Sequence, residues 1–291
     1  MAKAPGNGGE PQGAKPAVSR RREVAEGSAR SLLMTTLGEF VLPFGQRVWT
    51  STLVRALGLV GIEEGSARQA LARTAAEGWL TSDRIGRRVR WSLTDAGRGL
   101  LEEGAHRIYS FGSEGASWDG RWLVVLISIP ESMRALRHKV RTQLSWAGFG
   151  SPLPGVWISP HTSAAAAAKA IFEGLELGDK ALSFVAEYGA LGSQNDMVSA
   201  AWDLADVERH YEDFIEEFSD LEPRSADDVL VAQLRLVHEW RRFPFLDPQL
   251  PRLLLPPHWS GTAAKSLFES KHTAWQEPAR RRWSQLAADA D

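Results

Sequence analysis

The stretch Gly61–Thr94, GIEEGSARQALARTAAEGWLTSDRIGRRVRWSLT, constrains this chain more than any other. Glu64 to Glu77 reads as a helix with Leu71 and Ala75 inward and Ser66, Arg68, Gln69 and Arg73 on a polar, basic outer face. Gly78 is a natural residue to end it. Two short strands, Leu80 to Asp83 and Val89 to Leu93, then flank a hairpin tip at Ile85-Gly86-Arg87-Arg88. A helix followed by a basic hairpin is the order in which a winged helix-turn-helix presents its recognition helix and wing to DNA. The first expectation is therefore a DNA-binding transcription factor.

The flanking segments fit that expectation. Ser31 to Val41 reads as a first helix, with Leu33, Leu37, Phe40 and Val41 near one face and Pro43 ending it. Trp49 to Leu57 reads as a second helix, with Leu53, Val54 and Leu57 inward. Thr94-Asp95-Ala96-Gly97 opens a helix running to about Tyr109.

In such a fold the third helix enters the major groove. Arg68 is the first candidate for base contact, because a guanidinium bonds bidentately to guanine O6 and N7; Gln69 can pair with adenine in the same way. Ser66 is placed to bond a phosphate near the helix N-terminus, and Arg73 to contact phosphate lower down. Arg84, Arg87, Arg88 and Arg90 crowd into a seven-residue stretch, where like charges repel unless phosphates neutralise them. Arg87 and Arg88 at the tip are best placed to reach DNA, while strand alternation need not point Arg84 and Arg90 the same way. Trp79 and Trp91 read as packing under the wing.

The charge balance is uneven. Residues 1–110 hold 16 Lys and Arg against 11 Asp and Glu, a balance of +5, and residues 111–291 hold 18 against 25, or −7. A basic head on an acidic body suits a DNA-binding regulator. The 291-residue chain has room for two or three domains. It has no cysteine, which excludes disulfides, thiolate zinc sites and a cysteine nucleophile. No apolar run approaches the ~20 residues that span a bilayer, and residues 1–27 lack a secretory pattern, so a cytoplasmic, nucleoid-associated protein with no membrane partner is expected.

The remaining boundaries follow from composition and periodicity. Residues 1–30 read as a disordered basic tail whose Arg20-Arg21-Arg22 could form an arm, 31–110 as the winged helix-turn-helix, and 111–117 (FGSEGAS) as a linker. Trp122 to Ile129 is a near-continuous apolar strand, followed by a helix from Met133 to Ala147. A strand or strand pair lies within Phe149 to Ile158, broken at Pro152 and Pro154. A helix from Ser163 to Glu176 and a strand from Lys180 to Tyr188 complete the segment. That order suggests a ferredoxin-like α/β sandwich over 118–192. Residues 193–280 read as a helical C-terminal domain for effector binding and dimerisation, with helices at Leu204 to Phe218, Ala226 to Phe243 and Thr262 to Trp275. A proline-studded connector runs from Phe243 to Trp259, and 281–291 read as a tail. The fold class expected is α+β multidomain.

The ordered set of segments resembles the phenylacetic-acid catabolon repressor family (PaaX). The residues that carry the resemblance include Ser31 to Pro43, Gly78-Trp79-Leu80, and Gly86-Arg87-Arg88 through Leu93-Thr94. Further on come Trp118-Asp119-Gly120-Arg121-Trp122, Gly148-Phe149-Gly150 with Pro154-Gly155-Val156-Trp157, Asp247-Pro248, Leu250-Pro251 and Leu254-Leu255-Pro256. The resemblance spans roughly Ser31 to Trp275. It implies a winged helix-turn-helix, a ferredoxin-like middle domain and a helical C-terminal domain. It also implies a homodimeric repressor of phenylacetate (aromatic acid) catabolism genes, released from double-stranded operator DNA by phenylacetyl-CoA or another acyl-CoA. Two features depart from the family pattern: the helix start Glu63-Glu64-Gly65-Ser66 has an acidic residue where Asn is typical, and Gln69 stands where Thr or Ser is usual; if these positions touch bases, the operator expected here differs in sequence.

An acyl-CoA site needs an apolar slot and cations for the phosphates. Arg134, Arg137, Lys139 and Arg141 on one helix could supply the charge, as could Arg241 and Arg242; Arg137, Arg141, Arg241 and Arg242 are the candidate ligand-binding residues. In Trp118–Trp122, either Asp119 and Arg121 form interdomain ion pairs at a hinge, or the two tryptophans anchor a structural turn. Most of the twelve tryptophans are expected to fill interdomain cores. Two other function classes fit the sequence less well. The middle domain also resembles the ferredoxin-like fold of a small CRISPR-associated nuclease subunit, but the first strand ends Ile127-Ser128-Ile129-Pro130 without a carboxylate. The seven histidines show no metal-ligand spacing, and no phosphate loop or nucleophile motif occurs. No catalytic residue, metal or cofactor is therefore expected. An oligomerisation module that does not bind DNA is disfavoured by the arginine-rich hairpin.

Overall fold

The computed structural model describes residues 29–112 and 118–289. The expected tail arginines, Arg20 to Arg22, and most of the expected linker lie outside the described residues. The protein is mixed α/β with two small antiparallel sheets. It divides into two compact units, Met1–Leu101 with Trp283–Asp291, and Glu102–Arg282.

In the N-terminal unit, α1 (residues 29–36) runs on into a π-helical turn, Leu37–Val41, and a 3-10 turn, Leu42–Phe44, where Pro43 ends regular helix. Then come β1 (Val48–Trp49), α2 (Thr50–Leu59) and α3 (Glu64–Ala76). The hairpin strands are β2 (Leu80–Ile85) and β3 (Arg88–Leu93), and α4 (Asp95–Ser110) follows. The three strands pair in the order β1-β3-β2. Leu33, Leu37, Phe40, Leu53, Leu57 and Leu71 form the buried interior of this unit.

Three expectations change here. Trp49 does not start the second helix: Val48 and Trp49 pair with Trp91 and Arg90 on β3, and the helix starts at Thr50. The hairpin is tighter than expected, because β2 and β3 pair out to Ile85 and Arg88 and leave Gly86-Arg87 as a two-residue loop. Gly86 takes φ +62°, which a hairpin loop this short requires of its first residue. Residues 281–291, expected as a tail, are helical through Ala288 as the end of α11 (Gly261–Ala288). Trp283 and Leu286 are buried, and Trp283 stacks on Phe40 with ring centroids 5.1 Å apart.

The second unit holds β4 (Arg121–Ile127), α5 (Arg134–Trp146), β5 (Gly150–Leu153), β6 (Val156–Ser159), α6 (Ala165–Gly174) and β7 (Ala181–Glu187). The four strands are antiparallel in the order β5-β6-β4-β7. Of the two prolines expected to break the second strand, Pro152 sits within β5 at the sheet edge, where its missing donor is tolerated. Pro154 and Gly155 form the turn to β6. Gly155 takes φ +80°, and a Cβ there would lie 2.7 Å from the Ile127 carbonyl oxygen.

Strand alternation explains why β4 is apolar from Trp122 to Ile127. Leu123, Val125 and Ile127 pack with Val140 and Leu144 of α5 and Ala168 and Phe172 of α6. Trp122 points the other way, into a cluster with Ile158, Val198, Leu204, Leu250 and Leu254. The rest of the unit is α7 (Gln194–Ala201), α8 (Leu204–Phe218), α9 (Ala226–Trp240), the short α10 (Phe243–Leu246) and most of α11. Ser193 and Asp203 cap α7 and α8, and Ser225 with Asp228 forms a capping box on α9. The core of these helices is aromatic: Trp240 stacks on Phe268 at 4.6 Å and Tyr211 on Phe243 at 4.2 Å.

Candidate nucleic-acid interface

On α3, Ala67, Ala70, Leu71 and Thr74 are buried, while Arg68, Gln69 and Arg73 are exposed and Ser66 is half-buried. Ala75, expected inward, is half-buried, and Thr74 takes the inward position one residue earlier. Arg68 is not an unengaged cation. Its Nε and Nη2 lie 2.8 and 2.7 Å from Oε1 of Glu64, one turn back. Glu64, one of the two acidic residues at the start of this helix, thus binds the leading base-contact candidate.

The hairpin sorts its arginines by strand register. Cross-strand partners point to the same face, so Trp49, Arg90 and Asp83 share one face, and Arg88, two residues from Arg90, shares it too. Both guanidinium groups lie over the indole of Trp49, at 3.9 Å for Arg88 and 4.5 Å for Arg90. Arg84 is on the opposite face, and its Nε donates to the Gly86 carbonyl at 3.2 Å. Arg87 is exposed in the loop. Arg47 pairs with Asp83 at 3.0 Å on the Trp49 face. The sequence reading missed Trp49 and Arg47 as parts of this surface. A two-residue strand is too short to show periodicity, so nothing marked Trp49 as a strand residue.

The root of the hairpin is held tightly. The Trp91 indole N–H donates to Thr50 Oγ1 at 2.9 Å, and Thr50 Oγ1 donates to the Val89 carbonyl at 3.1 Å. Thr94 Oγ1 donates to the Gly78 carbonyl at 2.6 Å and accepts from the Gly97 N–H at 3.0 Å. A Cβ at Gly97 would lie 2.1 Å from the Trp79 carbonyl oxygen, so only glycine lets α4 come this close. Trp79 lies under Arg30, 5.1 Å from its ring, and Arg30 also pairs with Glu77.

The second unit contains a cavity of about 900 Å³. Trp146, Phe149, Trp157, Trp202 and Phe245 give it aromatic walls, and Arg141 contributes a cation. Three carboxylates on its lining have structural roles. Glu208 accepts from the Ser260 N–H at 3.0 Å and its hydroxyl at 2.5 Å. Asp203 caps α8, and Asp247 accepts from the Tyr211 hydroxyl and the Gln249 N–H, both at 2.6 Å. Burial raises the pKa of Asp247 and that of Tyr211, whose phenol also faces the Asp247 carboxyl.

The four candidate ligand residues are not brought together. Arg141 lines the cavity; Arg137, four residues earlier on α5, is exposed and does not. Arg241 is half-buried at the end of α9, with its pKa lowered chiefly by burial. Arg242 pairs with Glu239 at 2.8 Å beside a cleft of only about 60 Å³. The hinge reading of Asp119 and Arg121 gives way to the turn reading. Asp119 bonds Arg121 locally, through its backbone N–H at 3.0 Å and its guanidinium at 2.7 Å, and these bonds hold the Asp119 carboxyl below the usual carboxylate range. Trp118 donates to the Arg121 carbonyl at 3.0 Å and meets Trp122 edge-on. Among the described residues, no group of three or more His, Asp or Glu side chains could hold a metal ion, and no helix is long and apolar enough to cross a membrane.

Comparison with known proteins agrees with this layout. Three family models match in order: a PaaX-like protein over residues 28–97, the PaaX protein central Cas2-like domain over 115–198, and the PaaX-like protein C-terminal domain over 202–285. The chain is 34% identical over 252 residues to Transcriptional repressor PaaX of Escherichia coli (strain K12), covering 82% of this chain and 78% of that protein. Its fold is similar to the solved structure of the uncharacterized protein Rv0674 from Mycobacterium tuberculosis, with a TM-score of 0.57 and 20% identity over 85% of this chain and 96% of that one. On these matches, the chain belongs to the PaaX family.

Proposed function

We propose that this protein is a transcriptional repressor whose N-terminal unit binds double-stranded operator DNA as a winged helix-turn-helix. The observation that carries the reading is the exposed polar face of α3 followed by a hairpin with two arginines ordered on one indole. In this reading α3 enters the major groove, Arg68 and Gln69 read bases, and Ser66 and Arg73 contact phosphate. Arg84, Arg87, Arg88 and Arg90 lie along the backbone. The repressor name of the Escherichia coli relative supports this reading.

The protein acts in the cytoplasm as a homodimer on a roughly palindromic operator, controls phenylacetate catabolism genes, and catalyses no reaction. The βαββαβ order of the second sheet supports a ferredoxin-like middle domain. Phenylacetyl-CoA or a related acyl-CoA releases the protein from DNA by binding the DNA-incompetent state more tightly. The aromatic walls of the large cavity suit the acyl group, and Arg141 suits an anionic part of the ligand.

The test is fluorescence anisotropy of the purified protein on its own upstream intergenic DNA at fixed salt, with phenylacetyl-CoA, with free phenylacetate, and with neither. Specific binding released by the ester alone is the expected result. Specific binding indifferent to the ester would overturn phenylacetyl-CoA as the effector, and binding no tighter than to random duplex would overturn the placing of an operator in that DNA.

A further inference from the structure

Glu64 puts a carboxylate where a DNA-binding helix has least use for one. It opens α3, and the first turns of a recognition helix are the part that meets base edges and phosphates. Its pairing with Arg68 is one-sided. Arg68 Nε donates to Glu64 Oε1 at 2.8 Å, and Nη2 lies 2.7 Å from the same oxygen. A guanidinium is a planar fork of N–H donors. Filling its Nε–Nη2 side leaves the Nη1–Nη2 end turned away from Glu64, and that end still carries the two donors that fit guanine O6 and N7. Among the described residues no hydrogen bond reaches Nη1. The surface around the pair is low: Gly65 and Ala72 are exposed, and nothing lies within 4 Å of where a Cβ on Gly65 would stand.

Charge separates two uses of an arginine. One that neutralises phosphate is spoiled by a carboxylate 2.7 Å away, because the pair carries no net charge and releases no counterion. One that reads a base needs directed donors rather than net charge, and a carboxylate behind it holds those donors in place. Arg88 and Arg90 show the other arrangement, resting on the neutral Trp49 indole with their charge intact.

We propose that Glu64 is a specificity-determining positioning residue for operator DNA: it aims the free end of Arg68 at a guanine in the major groove, and its own charge disfavours duplexes that lack that guanine. The inference rests on the DNA-binding reading above and deepens it. On a site with the guanine, Arg68 bonds O6 and N7 while the carboxylate stays paired. On other duplexes Arg68 reaches a phosphate only by turning from Glu64, which leaves an unpaired carboxylate beside a polyanion. Glu64 thus lowers affinity for DNA in general and raises discrimination.

The test is selection of the full chain on a random duplex library, followed by anisotropy on the selected duplex and on random duplex over a salt series. The wild type is expected to select a motif with a guanine whose replacement by 7-deazaguanine, which lacks the N7 acceptor, weakens binding roughly tenfold; Arg68→Ala is expected to be indifferent to that replacement. Glu64→Gln is expected to bind random duplex more tightly, with a slope of log K against log salt steeper by about 0.9, and the selected duplex about as before, so that the ratio of the two affinities falls roughly tenfold. In the Arg68→Ala background, with no guanidinium to aim, Glu64→Gln is expected to shift both affinities alike. A Glu64→Gln protein weakened equally on both duplexes would assign the carboxylate to helix stability and overturn the proposal, as would one that keeps the wild-type ratio. A wild type that selects no motif would overturn the DNA-binding reading and this inference with it, whereas a selected motif indifferent to Glu64→Gln would overturn this inference alone.

Discussion

The guanidinium of Arg88 lies 3.9 Å from the ring centroid of Trp49, and that of Arg90 reaches the same ring at 4.5 Å. An indole face attracts a cation without neutralising it. Two like charges are thus held on one face of the hairpin in a fixed orientation, which would lower the entropy lost on the phosphate contacts proposed for them.

Removing either charge is expected to flatten the salt dependence of DNA binding. Arg88→Ala and Arg90→Ala should each reduce the slope of log K against log salt by about 0.9. Trp49→Leu should weaken binding roughly tenfold with little change in slope, since the number of phosphates neutralised is unchanged. Anisotropy titrations over a salt series decide this. A slope unaltered in both arginine variants would remove them from the phosphate contacts.

Glycines on one helix are expected to respond in opposite ways. Gly97→Ala drives a methyl into the Trp79 carbonyl and should cost about 2–3 kcal/mol or more, by the strain of overpacking. Gly99, also on α4, is exposed with open space around it, and Gly99→Ala should stabilise by up to about 1 kcal/mol. Thermal unfolding of the two variants checks this, and equal midpoints would refute the close approach.

Much of the N-terminal unit was legible because its signals are local. The polar outer face and inward Leu71 of α3, the glycines at 78 and 86, and Thr94 before Gly97 each act within a few residues of where they stand. What escaped depends on distant partners. Trp49 reads as a helix residue until β3 pairs with it, and Trp283 reads as tail until Phe40 stacks on it. The cavity walls come from α5, the turn after it, β5, β6 and segments after residue 198, so Arg141 could not be separated from Arg137 by sequence alone.

Acid is expected to destabilise the second unit through His238. Burial, then the charge of Arg241, pushes its pKa down to about 4 from an ordinary value of 6.5. The folded state therefore holds this imidazole neutral. Its contribution to stability is full above about pH 6.5 and is lost as pH falls towards about 4, and it is at most about 2 kcal/mol once solvent screening is allowed for. Urea midpoints at neutral and acidic pH should differ less for His238→Gln than for the wild type. An identical difference would mean that His238 titrates normally.

Tyr211→Phe is expected to cost about 1–3 kcal/mol, because it leaves the Asp247 carboxyl in place without one of its two donors. The loss should be larger at neutral pH than in acid, since the raised pKa of Asp247 reflects a carboxylate that burial already disfavours. Denaturation of both proteins across pH tests this, and a pH-independent difference would show that the phenol does not serve the carboxylate.

β4 buries Leu123, Val125 and Ile127 against α5 and α6, and Trp122 against Leu204, Leu250 and Leu254. It is a wall common to two rooms. A chain severed between residues 192 and 193 would leave each piece with one side of an interior and no lining for it. The sequence invites a cut there, but Glu102–Arg282 packs as one compact unit.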